Sequence, residues 1–281
     1  MLKIGLYDVH LDEWHANHYP KMLREAIARR ALNMEPTMAY AQCNKQGGLT
    51  TSDWCAQQQM TQAKSAAELA DTCDVLILLG PSFPERHLPM LREVLREGKS
   101  VYMDKIFAPD AFIGAQMFEE AAAKHVPLFS SSALRFAEEL TPWRTGTEEK
   151  TQWCMTTGPN VFSVYAIHQM EMLQCVMGGC PVRVKAFGNA GGCMLVYEWA
   201  DDRTAVMNEM NCAPFAVTVS NGADCTHLPI QSAFFDRLID AMLTFFQTGN
   251  APVAPEDTLA VMRMLSAGTQ ALQQRDIWLH L

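Results

Sequence analysis

Asp74-Val75-Leu76-Ile77-Leu78-Leu79 is apolar from its second residue to its last. A half-buried strand would alternate apolar with polar residues, so this run reads as a strand buried on both faces, as in a parallel sheet covered by helices. The segments on either side fit that setting. Upstream, Lys3-Ile4-Gly5-Leu6-Tyr7 predicts a first strand and Pro36 to Ala41 a second. Tyr19 to Ala31 predicts a helix with Met22, Leu23, Ala26 and Ile27 on its apolar side, and Ala63 to Ala70 a shorter one. Downstream, helix, strand and helix recur over Glu85 to Glu97, Ser100 to Met103 and Ala108 to Lys124, and Pro127-Leu128-Phe129-Ser130 supplies a last strand. Strands alternating with helices of this length imply right-handed crossovers in a parallel sheet.

Beyond about residue 150 the pattern changes. One helix, Tyr165 to Met177, precedes four strand-like runs, Val182 to Phe187, Cys193 to Trp199, Thr204 to Asn211 and Ala216 to Val219, with Gly, Asp or Pro turns between them. Short turns between consecutive strands make an antiparallel sheet. Ser232 to Thr248 and Pro255 to Gln274 read as long amphipathic helices. The expected fold is therefore α/β, a Rossmann-like parallel sheet over residues 1–128 and an α+β domain with a mostly antiparallel open sheet over 129–281. The 255–274 helix is expected to pack back on the first domain. Cys193, Leu195, Tyr197 and Trp199, in period-two register, are expected on the sheet face that helices leave open, which would call for a homo-oligomer, a dimer or tetramer.

Composition narrows the partners. The chain has 281 residues with 22 Lys plus Arg against 31 Asp plus Glu, a formal net charge of −9. That balance argues against nucleic acid and anionic membranes, and a small molecule is the expected partner. Nine cysteines without a Cys-x-x-Cys pair, no apolar leader and no run near the roughly 20 residues of a membrane span point to free thiols in the cytoplasm. His10, His15 and His18 lie near Asp8 and Asp12, but no further ligand completes a metal set, so no metal is expected.

Gly98-Lys99-Ser100-Val101-Tyr102-Met103-Asp104-Lys105 resembles the "GKHV-x-x-EKP" segment of the glucose-fructose oxidoreductase / inositol dehydrogenase / MocA family. Ile167-His168-Gln169-Met170-Glu171-Met172-Leu173, followed by Gly178-Gly179, is similar to that family's histidine helix, and Gly80-Pro81 with His87 to its loop after the third long strand. Asp8 and His15, with Ser130-Ser131-Ser132-Ala133-Leu134-Arg135, resemble a subset of the family that lacks the glycine loop. The resemblance implies a domain binding NAD or NADP and a second domain that covers the nicotinamide and holds a sugar-like or polyol-like substrate. It implies Lys105 and His168 as catalytic residues, the histidine taking the hydroxyl proton and the lysine lowering that hydroxyl's pKa. It places Asp8, His15, Asn44, Lys45, Gly80, Pro81, Asp104 and Lys105 at the cofactor, and Arg135 and Glu171 at the substrate. For Arg135 the competing reading is an ion pair with Glu138 or Glu139 one turn on.

Three departures shape the expectation. The family's G-x-G-x-x-G brings backbone amides to a diphosphate. Here Gly5 reads as its first glycine, and Asp8, Asp12 and Glu13 put negative charge where phosphates would lie. Gln42-Cys43-Asn44-Lys45 replaces the carboxylate that binds the adenosine ribose, which favours NADP over NAD. Ile106 follows Lys105 where the family has proline. Two functions remain open: an oxidoreductase passing a hydride between NAD(P) and a hydroxylated small molecule, or a homologue without dinucleotide that performs acid/base elimination or serves as a ligand-binding or regulatory protein.

Overall fold

The computed structural model describes residues 1–80, 83–146, 151–159, 161–189 and 191–281. The chain divides into two compact units, residues 1–131 with 238–254, and residues 132–237 with 255–281.

In the first unit the chain alternates strand and helix: β1 (Leu2–Asp8), α1 (Trp14–Arg29), β2 (Met34–Ala41), α2 (Thr51–Gln57), β3 (Thr61–Gln62), α3 (Ala66–Thr72), β4 (Val75–Leu78), α4 (Pro84–Val94), β5 (Val101–Met103), α5 (Ala111–Ala123) and β6 (Leu128–Ser130). Among the described residues the sheet has the order β3-β2-β1-β4-β5-β6, and every pairing in it is parallel. β4, the deciding run, lies at its centre with all four residues buried. Gly5 belongs to β1 and not to a loop. A Cβ there would stand 2.8 Å from Leu76 Cδ2, so close strand packing, not phosphate approach, requires glycine at this position. α1 begins five residues before the predicted start, because Pro20, which suggests a first helical turn, sits inside it. Ser65 and Asp110 cap α3 and α5 by accepting the Glu68 and Ile113 amides.

The second unit begins with two short 3₁₀ turns, Ala133–Phe136 and Glu138–Leu140. There follow α6 (Thr141–Arg144), β7 (Trp153–Gly158), α7 (Phe162–Met177), β8 (Arg183–Asn189), β9 (Gly192–Glu198), β10 (Thr204–Met210), β11 (Ala216–Ser220), β12 (Cys225–Pro229), α8 (Phe234–Thr248), α9 (Pro255–Gln273) and β13 (Leu279–His280). The sheet order is β12-β11-β7-β10-β9-β8-β13. It is antiparallel except where β7 runs parallel to β10.

α9 belongs to the second unit, whereas α8 from Leu238 onward belongs to the first. There Asp240 pairs with Arg29 at 2.8 Å and Phe245 meets Phe129 edge to face. The face carrying Leu195, Tyr197 and Trp199 is not open, for all three are buried. Tyr197 donates its hydroxyl hydrogen to the Met264 carbonyl of α9 at 2.8 Å, and Gly268 allows that close approach, since a Cβ there would lie 2.7 Å from Leu195 Cδ1. Period-two register separates two faces but does not say which one the helices cover. The opposite face presents Met194, Val196 and Val206, each half-buried.

Candidate functional site

In the first unit, Asp8 ends β1 and Asp104 follows β5, both 1% exposed. The C-terminal ends of parallel strands are where open α/β sheets bind ligands. His15, in the first turn of α1, hydrogen-bonds through Nδ1 to Asp104 Oδ2, and Tyr102 donates to Asp104 Oδ1 at 3.3 Å. His15 stacks on Tyr19, with ring centroids 5.2 Å apart. Burial works to raise the Asp104 carboxyl, but the His15 imidazole and then Lys105 outweigh it and hold it below the usual carboxylate range. Lys105 is half-buried beside it, and the Lys105–Ile106 peptide bond is cis.

Asp8 has a different setting. Its Oδ1 accepts the Val9 amide at 2.7 Å, and its Oδ2 is buried without a hydrogen-bond partner. Burial pushes this carboxyl well above its ordinary range, and nearby Asp104 and Glu13 act in the same direction. Asn44 accepts both the amide and the hydroxyl of Thr51, at 2.8 and 2.9 Å, closing the loop into α2. Lys45 donates to the Asp12 carbonyl at 2.7 Å and pairs with Glu13 at 3.3 Å.

Gly80, with φ of 98°, follows β4. Its carbonyl lies 3.0 Å from His87 Nε2, while His87 Nδ1 lies 3.0 Å from the Phe107 carbonyl. Pro81 lies outside the described residues. His87 is fully buried, and burial holds it below the usual histidine range, so the ring is neutral at pH 7 and donates to one carbonyl at a time. His87 thus ties the loops after β4 and β5 together. His87→Ala is expected to lower stability by about 2–4 kcal/mol, through a cavity and the loss of one buried hydrogen bond to a carbonyl, measured by urea unfolding. A loss under about 0.5 kcal/mol, the size of an ordinary surface change, would contradict this role.

In the second unit the centre is His168 on α7. Its Nδ1 lies 2.6 Å from Ser132 Oγ, and its ring meets Tyr165 and Phe215 edge to face. Arg135 and Glu171, the expected substrate residues, hold one another: Arg135 Nε donates to Glu171 Oε2 at 2.6 Å, and both are buried. Arg135 also donates to Gln174 Oε1, whose amide nitrogen donates to Asp257 on α9 at 2.5 Å. Glu171 Oε1 accepts the Ser132 amide at 3.1 Å. The chain Asp257–Gln174–Arg135–Glu171 therefore ends on the backbone amide of Ser132, the residue whose hydroxyl faces His168. Glu138 and Glu139 have other partners, Arg237 and Ser232. Burial opposes the Arg135 charge, but Glu171 and the other acids outweigh it and hold the guanidinium above its usual range.

Ser132 and Glu209 were not singled out from the sequence. Ser132 closes a serine run, and no local pattern shows that its hydroxyl meets the histidine. Glu209, 5% exposed on β10, accepts the Phe162 amide that starts α7. Desolvation raises its carboxyl to about 7. The folded-state value lies above the unfolded one, so this residue's contribution to stability falls as pH rises from about 4.5 toward 7. Glu209→Gln is expected to flatten that part of the stability curve, raising the melting midpoint at pH 8 by a few degrees (order 2–4 °C per kcal/mol relieved) and changing little at pH 4. A parallel pH dependence in variant and parent would contradict it.

A cavity of about 520 Å³ lined by residues including Glu139, Trp143, Thr151, Ser220 and Thr226 contains neither His168 nor Arg135 nor Glu171. Among the described residues no group of three or more His, Cys, Asp or Glu is placed to hold a metal, and no helix is long and apolar enough to cross a membrane.

No family model matches the chain, and no curated protein matches it. Solved structures do. A probable dehydrogenase from Thermotoga maritima superposes with a TM-score of 0.82 at 13% identity, over 99% of this chain and 98% of that one. The fold is that of the glucose-fructose oxidoreductase / inositol dehydrogenase / MocA group. The myo-inositol dehydrogenase of Lactobacillus casei, solved with NAD(H) and myo-inositol, shares this dehydrogenase fold at a TM-score of 0.80 and 10% identity, over 100% and 96% of the two chains. A UDP-N-acetylglucosamine 3-dehydrogenase from Acidithiobacillus ferrooxidans shares it at 0.76 and 13%, over 98% and 97%.

The residues of this dehydrogenase-fold chain do not fit a diphosphate held as a glycine loop holds one. The later glycine positions of that loop are Tyr7 and His10 here, and the carboxylate of Asp8 between them takes the Val9 amide.

Proposed function

We propose that this chain is an enzyme acting at a hydroxyl-bearing carbon of a sugar-like or polyol-like small molecule, with His168 as its acid/base group. The observation that supports this is the 2.6 Å contact between His168 Nδ1 and Ser132 Oγ, backed by the buried Arg135–Glu171 pair. When Nδ1 carries the hydrogen and Ser132 accepts it, Nε2 holds the lone pair that a general base uses to take a hydroxyl proton. Lys105 takes the electrostatic role that the resemblance gives it.

The general class supported by the solved structures is oxidoreductase, and its finer form is transfer of the hydroxyl carbon's hydride to a nicotinamide. A preference for NADP through Lys45 has little support, because that ammonium group already faces the Asp12 carbonyl and Glu13. The Asp8 arrangement favours a second reading, in which the same histidine removes or returns a proton in an elimination without hydride transfer. The cytoplasmic location and a homo-oligomer formed through the half-buried face with Met194 and Val196 belong to the proposal as well.

A panel of sugars and polyols, incubated with the protein in D₂O with and without NAD or NADP, tests the reading. Turnover seen as nicotinamide absorbance supports the redox form, and deuterium entry at a carbon beside a carbonyl supports the proton-transfer form. Absence of both signals across the panel would overturn the assignment.

A further inference from the structure

We propose that the adenosine-diphosphate half of the fold's ligand edge is closed by the chain itself, so that this protein binds at its strand ends only ligands lacking a dinucleotide's diphosphate. The inference goes beyond the proposed function: the acid/base centre on the second unit does not depend on it, whereas the form with hydride transfer to a nicotinamide falls if it holds.

Two loops carry the argument, residues 9–13 after β1 and 42–50 after β2. In a dinucleotide-binding sheet the first supplies amides to the diphosphate and the second meets the adenosine ribose. Here no glycine stands between Gly5 and Gly47, and none of residues 8–15 has positive φ. The Val9 amide is taken by Asp8 Oδ1, and the His10 amide also bonds to that carboxylate. Val9 and Leu11 are buried, so the loop turns its apolar side chains inward instead of leaving a hollow.

The loops are also joined. Asp12 accepts the Leu49 amide at 3.1 Å and the Asn17 side-chain amide at 3.0 Å. Lys45 reaches back to the Asp12 carbonyl and to Glu13, and Glu13 receives His10 Nε2 at 2.8 Å. The Cys43 amide donates to the Val9 carbonyl at 3.1 Å. A Cβ on Gly48 would lie 2.6 Å from Asp12 Oδ2, which measures how closely the loops meet. The cation that could greet a phosphate is paired with Glu13 of the other loop, and the phosphate would arrive beside Asp12 and Glu13. Like charges a few ångströms apart repel more strongly in a partly buried site than in water.

The test uses the full-length protein, NADH and NADPH as probes, and two readouts. Nicotinamide fluorescence titrated to about 1 mM should show no saturable binding of either. Hydrogen exchange over residues 8–15 and 43–51 should be slow in the free protein and unchanged by NADH at that concentration. Saturable binding of either nucleotide, or new protection of the Val9 and His10 amides when it is added, would overturn the inference. The substrate panel reports separately on the proposed function: proton transfer without nicotinamide binding leaves the inference standing, and tight NADH binding without any turnover removes the inference while leaving the His168 reading to the panel.

Discussion

His168→Ala is expected to lower kcat by about 10²–10⁴-fold, the range for loss of a positioned acid/base group, with the fold intact. Retention of fold is expected because His168 is half-buried and contributes little to the core that α7 builds with Ala166, Ile167 and Met170. KM should move far less than kcat, since the lost interaction belongs to proton transfer and not to ground-state binding. Ser132→Ala separates positioning from chemistry. It removes the group facing Nδ1 and leaves the imidazole in place, so a drop of about tenfold, the worth of one hydrogen bond, is expected. The acid limb of its pH–rate profile should shift, and an Asn or Thr at position 132 should recover part of the rate. Unchanged turnover in His168→Ala would remove the histidine from the mechanism.

Arg135→Met is expected to have the largest effect on stability. It leaves Glu171 buried without its cation, and breaking one side of a buried pair costs about 3–5 kcal/mol. The second unit's melting midpoint should fall on the order of 10 °C. Arg135→Met with Glu171→Leu should regain part of this, because no unpaired charge remains. Recovery should stop short of the parent by about 1–3 kcal/mol, since the Ser132 amide then lacks its acceptor. The double variant should also be slow in turnover through the loosened Ser132. If Arg135→Met melts within about 1 °C of the parent, the guanidinium is not the structural tie described here. That outcome would return Arg135 to the substrate side.

The parallel half of the fold was legible because its strands are short apolar runs, and a strand buried on both faces has no other pattern to show. β7, with the sequence Trp-Cys-Met-Thr-Thr-Gly, escaped because its residues do not announce a strand on propensity alone. Gly5 misled for a related reason: β1 continues to Asp8, and a carboxylate at a strand's end suggests a loop that has already begun. The site was legible as single residues and not as partnerships. Arg135 could be matched only to acids one turn away, whereas its partner Glu171 comes 36 residues later on α7. Lys45 read as a cation at the cofactor, because its bond to the Asp12 carbonyl spans 33 residues. Sequence separation hides such pairings until the strands bring them together.

The joined loops after β1 and β2 have a consequence for the history and the engineering of this chain. A glycine introduced at Asp8 would not create a dinucleotide site, since Lys45 would still hold the Asp12 carbonyl and Asp12 would still hold the Leu49 amide. Several changes would be needed together, and each alone breaks bonds without opening the edge. A route of single substitutions toward dinucleotide binding therefore passes through intermediates that are less stable and no better at binding, which makes the joined loops a state that small steps do not undo.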